Sequence, residues 1–129
     1  MHALVVDDNP HIISIASRWL TQAGYSVAVS QDFVDAVEHL RTEHPDALLI
    51  DVRLGAFNGL QLALRARENY PDARIVVMSA WDDPVLKKDA AECGASYIVK
   101  PFNETQLLEA IQRNPADGES GQGPTVVAQ

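Results

Sequence analysis

Two adjacent carboxylates (Asp7, Asp8), a third at Asp51, a hydroxyl at Ser79 and an ammonium at Lys100 each close a short apolar run of this 129-residue chain. The runs are ALVV before Asp7-Asp8, ALLI before Asp51, IVVM before Ser79 and SYIV before Lys100. Neighbouring acids repel, so a pair aimed into a cleft calls for a cation. Magnesium suits it: hard, octahedral, and satisfied by one or two carboxylates while keeping waters for a phosphate. A carboxylate beside such an ion can act as a nucleophile and form an acyl phosphate. A hydroxyl can donate to a phosphoryl oxygen, and a lysine pairs with phosphate as a point charge. Each residue also has a plainer reading. The acid pair could be a helix cap and a solvated loop acid, Asp51 the polar exit of a strand, Ser79 the opening of a turn, and Lys100 a solvated strand end.

The elements around these residues decide whether they meet. Strand candidates are 2–7, 25–30, 46–51, 73–79 and 96–99, dense in Val, Ile, Leu and Ala as strands buried on both faces are. Helix candidates with readable ends lie between them. The first covers 10–23, with Asn9 as cap, Pro10 in its first turn, Ile12, Ala16, Trp19 and Ala23 inward, and Gly24 at its exit. The second starts near Asp32, turns Phe33, Ala36, Val37 and Leu40 inward and is stopped by Pro45. The third follows Asn58-Gly59, carries Leu60, Ala63 and Leu64 inward and ends before Pro71. The fourth has Asp83 as cap, Leu86, Ala90 and Cys93 inward and Gly94 as exit. The fifth has Asn103 and Gln106 at capping-box spacing, with Leu107, Leu108 and Ile111 apolar. Strand–helix alternation five times over implies a doubly wound α/β sheet with right-handed crossovers. Strands of such a sheet gather their carboxyl ends along one edge, where ligands bind.

Bulk properties narrow the function. The length fits one domain, and 47% hydrophobic content supplies a core. A net charge of −8 argues against direct nucleic-acid binding, since phosphate backbones demand basic surface. The single cysteine, Cys93, excludes an intrachain disulfide. The N-terminal apolar run is too short for a signal peptide core and no stretch approaches bilayer-spanning length, so a soluble cytoplasmic protein is expected. Residues 114–129, NPADGESGQGPTVVAQ, lose periodicity and gain Gly and Pro, and read as a disordered tail or the start of a linker.

Order and spacing of these motifs over residues 2–113 resemble the receiver domain of two-component response regulators. The matching segments are VVDDNP with Asp7-Asp8, LLIDVRLGAFNGLQL with Asp51, VVMSAW with Ser79 and YIVKPF with Lys100-Pro101. The resemblance implies a flavodoxin-like five-stranded parallel sheet of order 2-1-3-4-5 with five helices. It implies a receiver domain over 1–113. It makes Asp51 the phosphoacceptor and gives Mg²⁺ to Asp8, Asp51 and the backbone carbonyl of Arg53, with Asp7 acting through a water. Ser79 and the backbone N–H of Ala80 would hold phosphoryl oxygens, and Lys100 would pair with Asp51 and then with the phosphate. Tyr97 matches an aromatic that turns inward as Ser79 moves; a half-buried aromatic on an edge strand is the plainer account. A histidine kinase or a phosphotransfer protein is the implied donor. The face of helix four, strand five and helix five, which carries Lys87, Lys88 and Tyr97, is implied to meet the partner or, by self-association, a second copy of the domain. Proline at 101 could form a cis bond.

Two departures stand out. Gly55 occupies a position where the family often has proline, which is expected to loosen the loop. Trp81 stands two residues after Ser79, where small or polar residues are frequent. With Arg53 it could shield an acyl phosphate from water, in which case Trp81→Ala dephosphorylates faster.

Other functions fare less well. A haloacid-dehalogenase-type phosphatase needs a second aspartate two residues after its nucleophile, and Arg53 stands there. Flavin binding on the same fold lacks a phosphate-cradling loop after the first strand. A degenerate receiver serving as a phosphorylation-independent protein-binding module is the alternative, though such proteins usually lose the acceptor, the acid pair or the lysine. The chain is not expected to be an enzyme beyond catalysing its own phosphorylation and dephosphorylation. His2, His11, His39 and His44 show no metal-ligand spacing and read as surface residues. No P-loop or dinucleotide fingerprint appears.

Overall fold

A computed structural model describes residues 1–113. The segment read as a tail or linker, 114–129, lies outside them. In chain order the elements are β1 (His2–Val6), α1 (Pro10–Gln22), β2 (Ser26–Ser30), α2 (Phe33–Thr42), β3 (Ala47–Asp51), a short ribbon of β4 (Arg53–Leu54) and β5 (Phe57–Asn58), α3 (Gly59–Asn69), β6 (Arg74–Ser79), α4 (Pro84–Glu92), β7 (Ala95–Val99) and α5 (Glu104–Gln112). The main sheet is parallel throughout, in the order β2-β1-β3-β6-β7. Leaving the ribbon out of the count, this is the expected 2-1-3-4-5 order.

Successive strand residues point to opposite faces and so build two cores. Leu4, Val6, Leu48, Ile50, Ile75 and Val77 pack under α2, α3 and α4. Ala3, Val5, Ala47, Leu49, Val76 and Met78 pack under α1 and α5. Both faces are covered, which is why the strands read as unbroken apolar runs.

The helix ends follow from their caps. Asn9 Oδ1 accepts from the His11 N–H, Asp32 from Asp35, Asn58 from Leu60 and Asp83 from Val85. Asn103 and Gln106 form the reciprocal capping box. Each cap satisfies an otherwise orphaned N–H and is worth about 1 kcal/mol. Gly24 and Gly94 leave their helices with positive φ, where glycine carries no Cβ penalty.

The inward faces differ in detail from expectation. In α1 the buried stripe is Ile13, Ala16 and Leu20; Ile12 and Trp19 flank it half-buried, and Ala23 is an exposed C-cap. In α3 the stripe is Gly59, Leu62, Ala63 and Ala66, while Leu64 points outward at 48% exposure. In α5 Ala110 joins Leu107 and Ile111, and Leu108 is half-buried. The second helix ends at Thr42 rather than at Pro45, which is buried in the following loop.

At the sheet's amino edge, side chains from the strands secure the end of α5. Arg74 Nη1 donates to the Gln112 carbonyl at 3.0 Å, and Ser96 Oγ donates to the Arg113 carbonyl at 2.7 Å. The backbone N–H of Arg113 donates in turn to Glu109.

Candidate functional site

The register brings the chemistry-bearing strand ends to one level. Val6 pairs with Ile50 and Asp51 with Met78, so Asp7 emerges beside Asp51 at the point where strand order reverses. Backbone bonds extend the ladder one residue further: Asp7 N–H to Ser30, Val52 N–H to Met78 and Lys100 N–H to Ser79. Asp51 itself closes β3, while Asp7 and Lys100 stand one residue beyond β1 and β7.

The side chains converge. Lys100 Nζ lies 2.6 Å from Asp7 Oδ2 and 3.4 Å from Asp51 Oδ2. Asp7 is fully buried, with its other oxygen accepting from the Asn9 N–H at 2.9 Å. Asp51 is nearly buried, and its Oδ1 accepts from the Arg53 N–H at 3.3 Å. Asp8 is exposed, yet one oxygen each from Asp7, Asp8 and Asp51 lie within 4.8 Å of one another. Three carboxylates against one ammonium leave a surplus of negative charge. Burial first, and the charge of Asp7 second, push the Asp51 carboxyl above its ordinary value; Lys100 and the Arg53 N–H pull it down. An all-oxygen cluster with excess negative charge fits a hard divalent cation.

Ser79 is fully buried at the end of β6, and its Oγ accepts from the Trp81 N–H at 3.1 Å. Ala80 and Arg53 are exposed beside the cluster's elements. Tyr97 is half-buried against the core under α2, α3 and α4, and its hydroxyl donates to the Trp81 carbonyl. Trp81 is therefore held by its backbone at both groups, while its ring stands 62% exposed. The Lys100–Pro101 peptide bond is cis.

Two glycines beside the acceptor have defined backbone roles. Gly55 has φ +62° and turns the β4–β5 hairpin, an angle proline could not adopt. Gly59 approaches the acceptor strand closely. A Cβ there would meet the Asp51 carbonyl oxygen at 2.1 Å and Ile50 Cγ2 at 2.8 Å. The Gly59 N–H also donates to the Val52 carbonyl at 2.8 Å, which fixes α3 against β3. Sequence reading also missed Asn9, whose backbone N–H holds Asp7, and Ser30, whose buried hydroxyl donates to the Asp32 carbonyl at 3.0 Å. Among the histidines, His39 is half-buried between Asp35 and Glu43, and the other three are exposed.

The profile of the response regulator receiver domain matches residues 3–112. Response regulator MprA of Mycobacterium avium is 34% identical over 113 residues, covering 87% of this chain and 50% of the relative. The protein of the same name from Mycobacterium sp. strain KMS is 32% identical over 127 residues, covering 95% and 55%. The chain thus spans about half the length of these relatives. A response regulator of Burkholderia pseudomallei, solved with a phosphorylated aspartic acid, a calcium ion and citrate, superposes with a TM-score of 0.82 at 29% identity over 92% of this chain and 71% of that one. A response regulator from Thermotoga maritima gives 0.76 at 32% identity over 86% and 93%. Sheet order, acidic cluster and profile agree: the chain belongs to the receiver domain family of response regulators.

Proposed function

We propose that the chain is a phosphorylation switch in which Asp51 accepts a phosphoryl group from a phosphohistidine of a histidine kinase or phosphotransfer protein. The observation that carries the reading is Lys100 Nζ set between Asp7 and Asp51 inside the three-carboxylate cluster. The phosphorylated aspartic acid and calcium ion of the Burkholderia relative support it. An Asp51 carboxylate oxygen attacks phosphorus, the phosphorus–nitrogen bond breaks, and the donor imidazole departs with its electron pair. Asp7, Asp8 and Asp51, with the Arg53 carbonyl, would hold Mg²⁺, which when bound neutralises developing charge on the phosphoryl oxygens. Lys100 would exchange its contact with Asp51 for one with the phosphoryl group. The Ser79 hydroxyl and Ala80 N–H would donate to the remaining oxygens. Drawing Ser79 toward the phosphate would remove its oxygen from the Trp81 N–H, and so disturb the loop that Tyr97 holds from the other side. In this reading the chain catalyses only its own modification and hydrolysis, in the cytoplasm, and signals through the face of α4, β7 and α5.

The test is intact mass after incubation with acetyl phosphate, with and without Mg²⁺, beside Asp51→Asn. A metal-dependent gain of a single phosphoryl group, absent from the variant, is expected. No gain, together with no binding of a beryllofluoride mimic, would leave a phosphorylation-independent binding module.

A further inference from the structure

A groove of about 790 Å³ runs from Asp8 along the start of α2 to the β4–β5 hairpin. Part of its lining is apolar. Phe33 and Phe57 stack with ring centroids 4.7 Å apart, and beside them Val34 is 71% and Phe57 47% exposed. Scattered exposed apolar residues are ordinary, but contiguous ones lining a concavity point to a partner. Acidic residues alternate with these along α2. Asp8, Asp32, Asp35 and Glu38 line the groove, and no Lys or Arg does. The basic side chains nearest along α2, His39 and Arg41, lie against Asp35 and Glu38 and leave Asp8 and Asp32 without a basic partner among the described residues.

Charge selects the occupant. A second copy seated by a two-fold axis would set acid against acid, in a chain already at −8. Residues 114–129 contain Asp117 and Glu119 and no Lys or Arg, so the same repulsion opposes them. We propose that the groove docks a basic segment of a partner protein, with one aliphatic or aromatic side chain set against Phe33, Val34 and Phe57 and flanking Lys or Arg side chains on Asp32 and, in exchange for their weak surface pairs with His39 and Arg41, on Asp35 and Glu38. Because Asp8 belongs to both the groove and the acidic cluster, the docked segment abuts the metal site.

The probe is a short peptide with a central Leu flanked by Lys and Arg, titrated into the ¹⁵N-labelled full chain. Amide shifts are expected at residues 33–35 and 54–57. Replacing the central Leu by Ser, or introducing Val34→Lys, should weaken binding about tenfold. Glu38→Lys should weaken it as well, and a peptide with Glu in place of each basic residue should not bind. Val34 and Glu38 are exposed and outside the acidic cluster, so both variants should fold and keep their phosphoryl uptake from acetyl phosphate. Loss of uptake in the unaltered chain would thus overturn the switch reading and leave this one standing. Equal binding of the Ser peptide, or shifts confined to Asp7, Asp8 and Asp51, would reduce the effect to plain charge attraction and overturn the proposal. So would a concentration-dependent dimer abolished by Val34→Lys, or shifts at 33–35 on deleting residues 114–129, since either would name a different occupant.

Discussion

Asp51 is held in a state its surroundings disfavour. Its carboxyl is raised above the ordinary 3.8 by burial and by Asp7, so the folded chain favours the protonated form more than the unfolded chain does. That preference contributes stability below pH 3.8 and loses it as pH rises through the raised folded value. At neutral pH the ionised group therefore destabilises the fold. Asp51→Asn should melt at a higher temperature than the parent in metal-free buffer at pH 7, and the gap should close as pH falls below 3.8. Thermal denaturation across pH reads this directly; a lower melting temperature for the variant at neutral pH would refute it. Mg²⁺ should raise the parent's melting temperature more than the variant's, because the variant has lost one carboxylate of the cluster. A site that is unstable when empty is one that gains most when a cation fills it.

Elements were legible in the sequence where local chemistry alone decides them. Asn9, Asp32, Asp83 and the Asn103–Gln106 box start helices through side-chain bonds to N–H groups a few residues on, and the structure keeps each one. Strand ends carrying Asp51 and Ser79 were equally plain, because each polar residue breaks an apolar run, ALLI or IVVM. Helix phase was not. Leu64 and Leu62 are the same residue type two positions apart, and only the docking of Gly59 onto Asp51 rotates Leu62 inward. That docking is a long-range steric fact, invisible to periodicity. It yields a sharp expectation. Gly59→Ala would drive a Cβ against the Asp51 carbonyl, and backbone cannot yield as a flexible side chain does. A loss of about 2–3 kcal/mol in urea denaturation is expected, with slower uptake from acetyl phosphate because the acceptor's own peptide is displaced. Gly55→Ala, with open space around its Cβ, should cost only the left-handed backbone penalty of about 1 kcal/mol.

Over the whole molecule, the acidic cluster and the end of α5 stand at opposite edges of the sheet. Arg74 begins β6 and Ser79 ends it, a separation of roughly 17 Å along the strand. Arg74→Ala would free the Gln112 carbonyl and weaken the hold on the last helical turn by about 1 kcal/mol. Hydrogen exchange should speed up at residues 110–113 while phosphoryl uptake at Asp51 stays unchanged. Altered uptake would mean that the two edges communicate through β6. None of this arrangement could be read from Arg74 or Ser96 in the sequence, since each is an unremarked polar residue near the start of a strand. Yet it sets the mechanical terms of the protein. Residue 113 leaves the fold at one pole while the chemistry occurs at the other. A phosphoryl group at Asp51 therefore reaches that exit only through the strands and helices between, never by touching it.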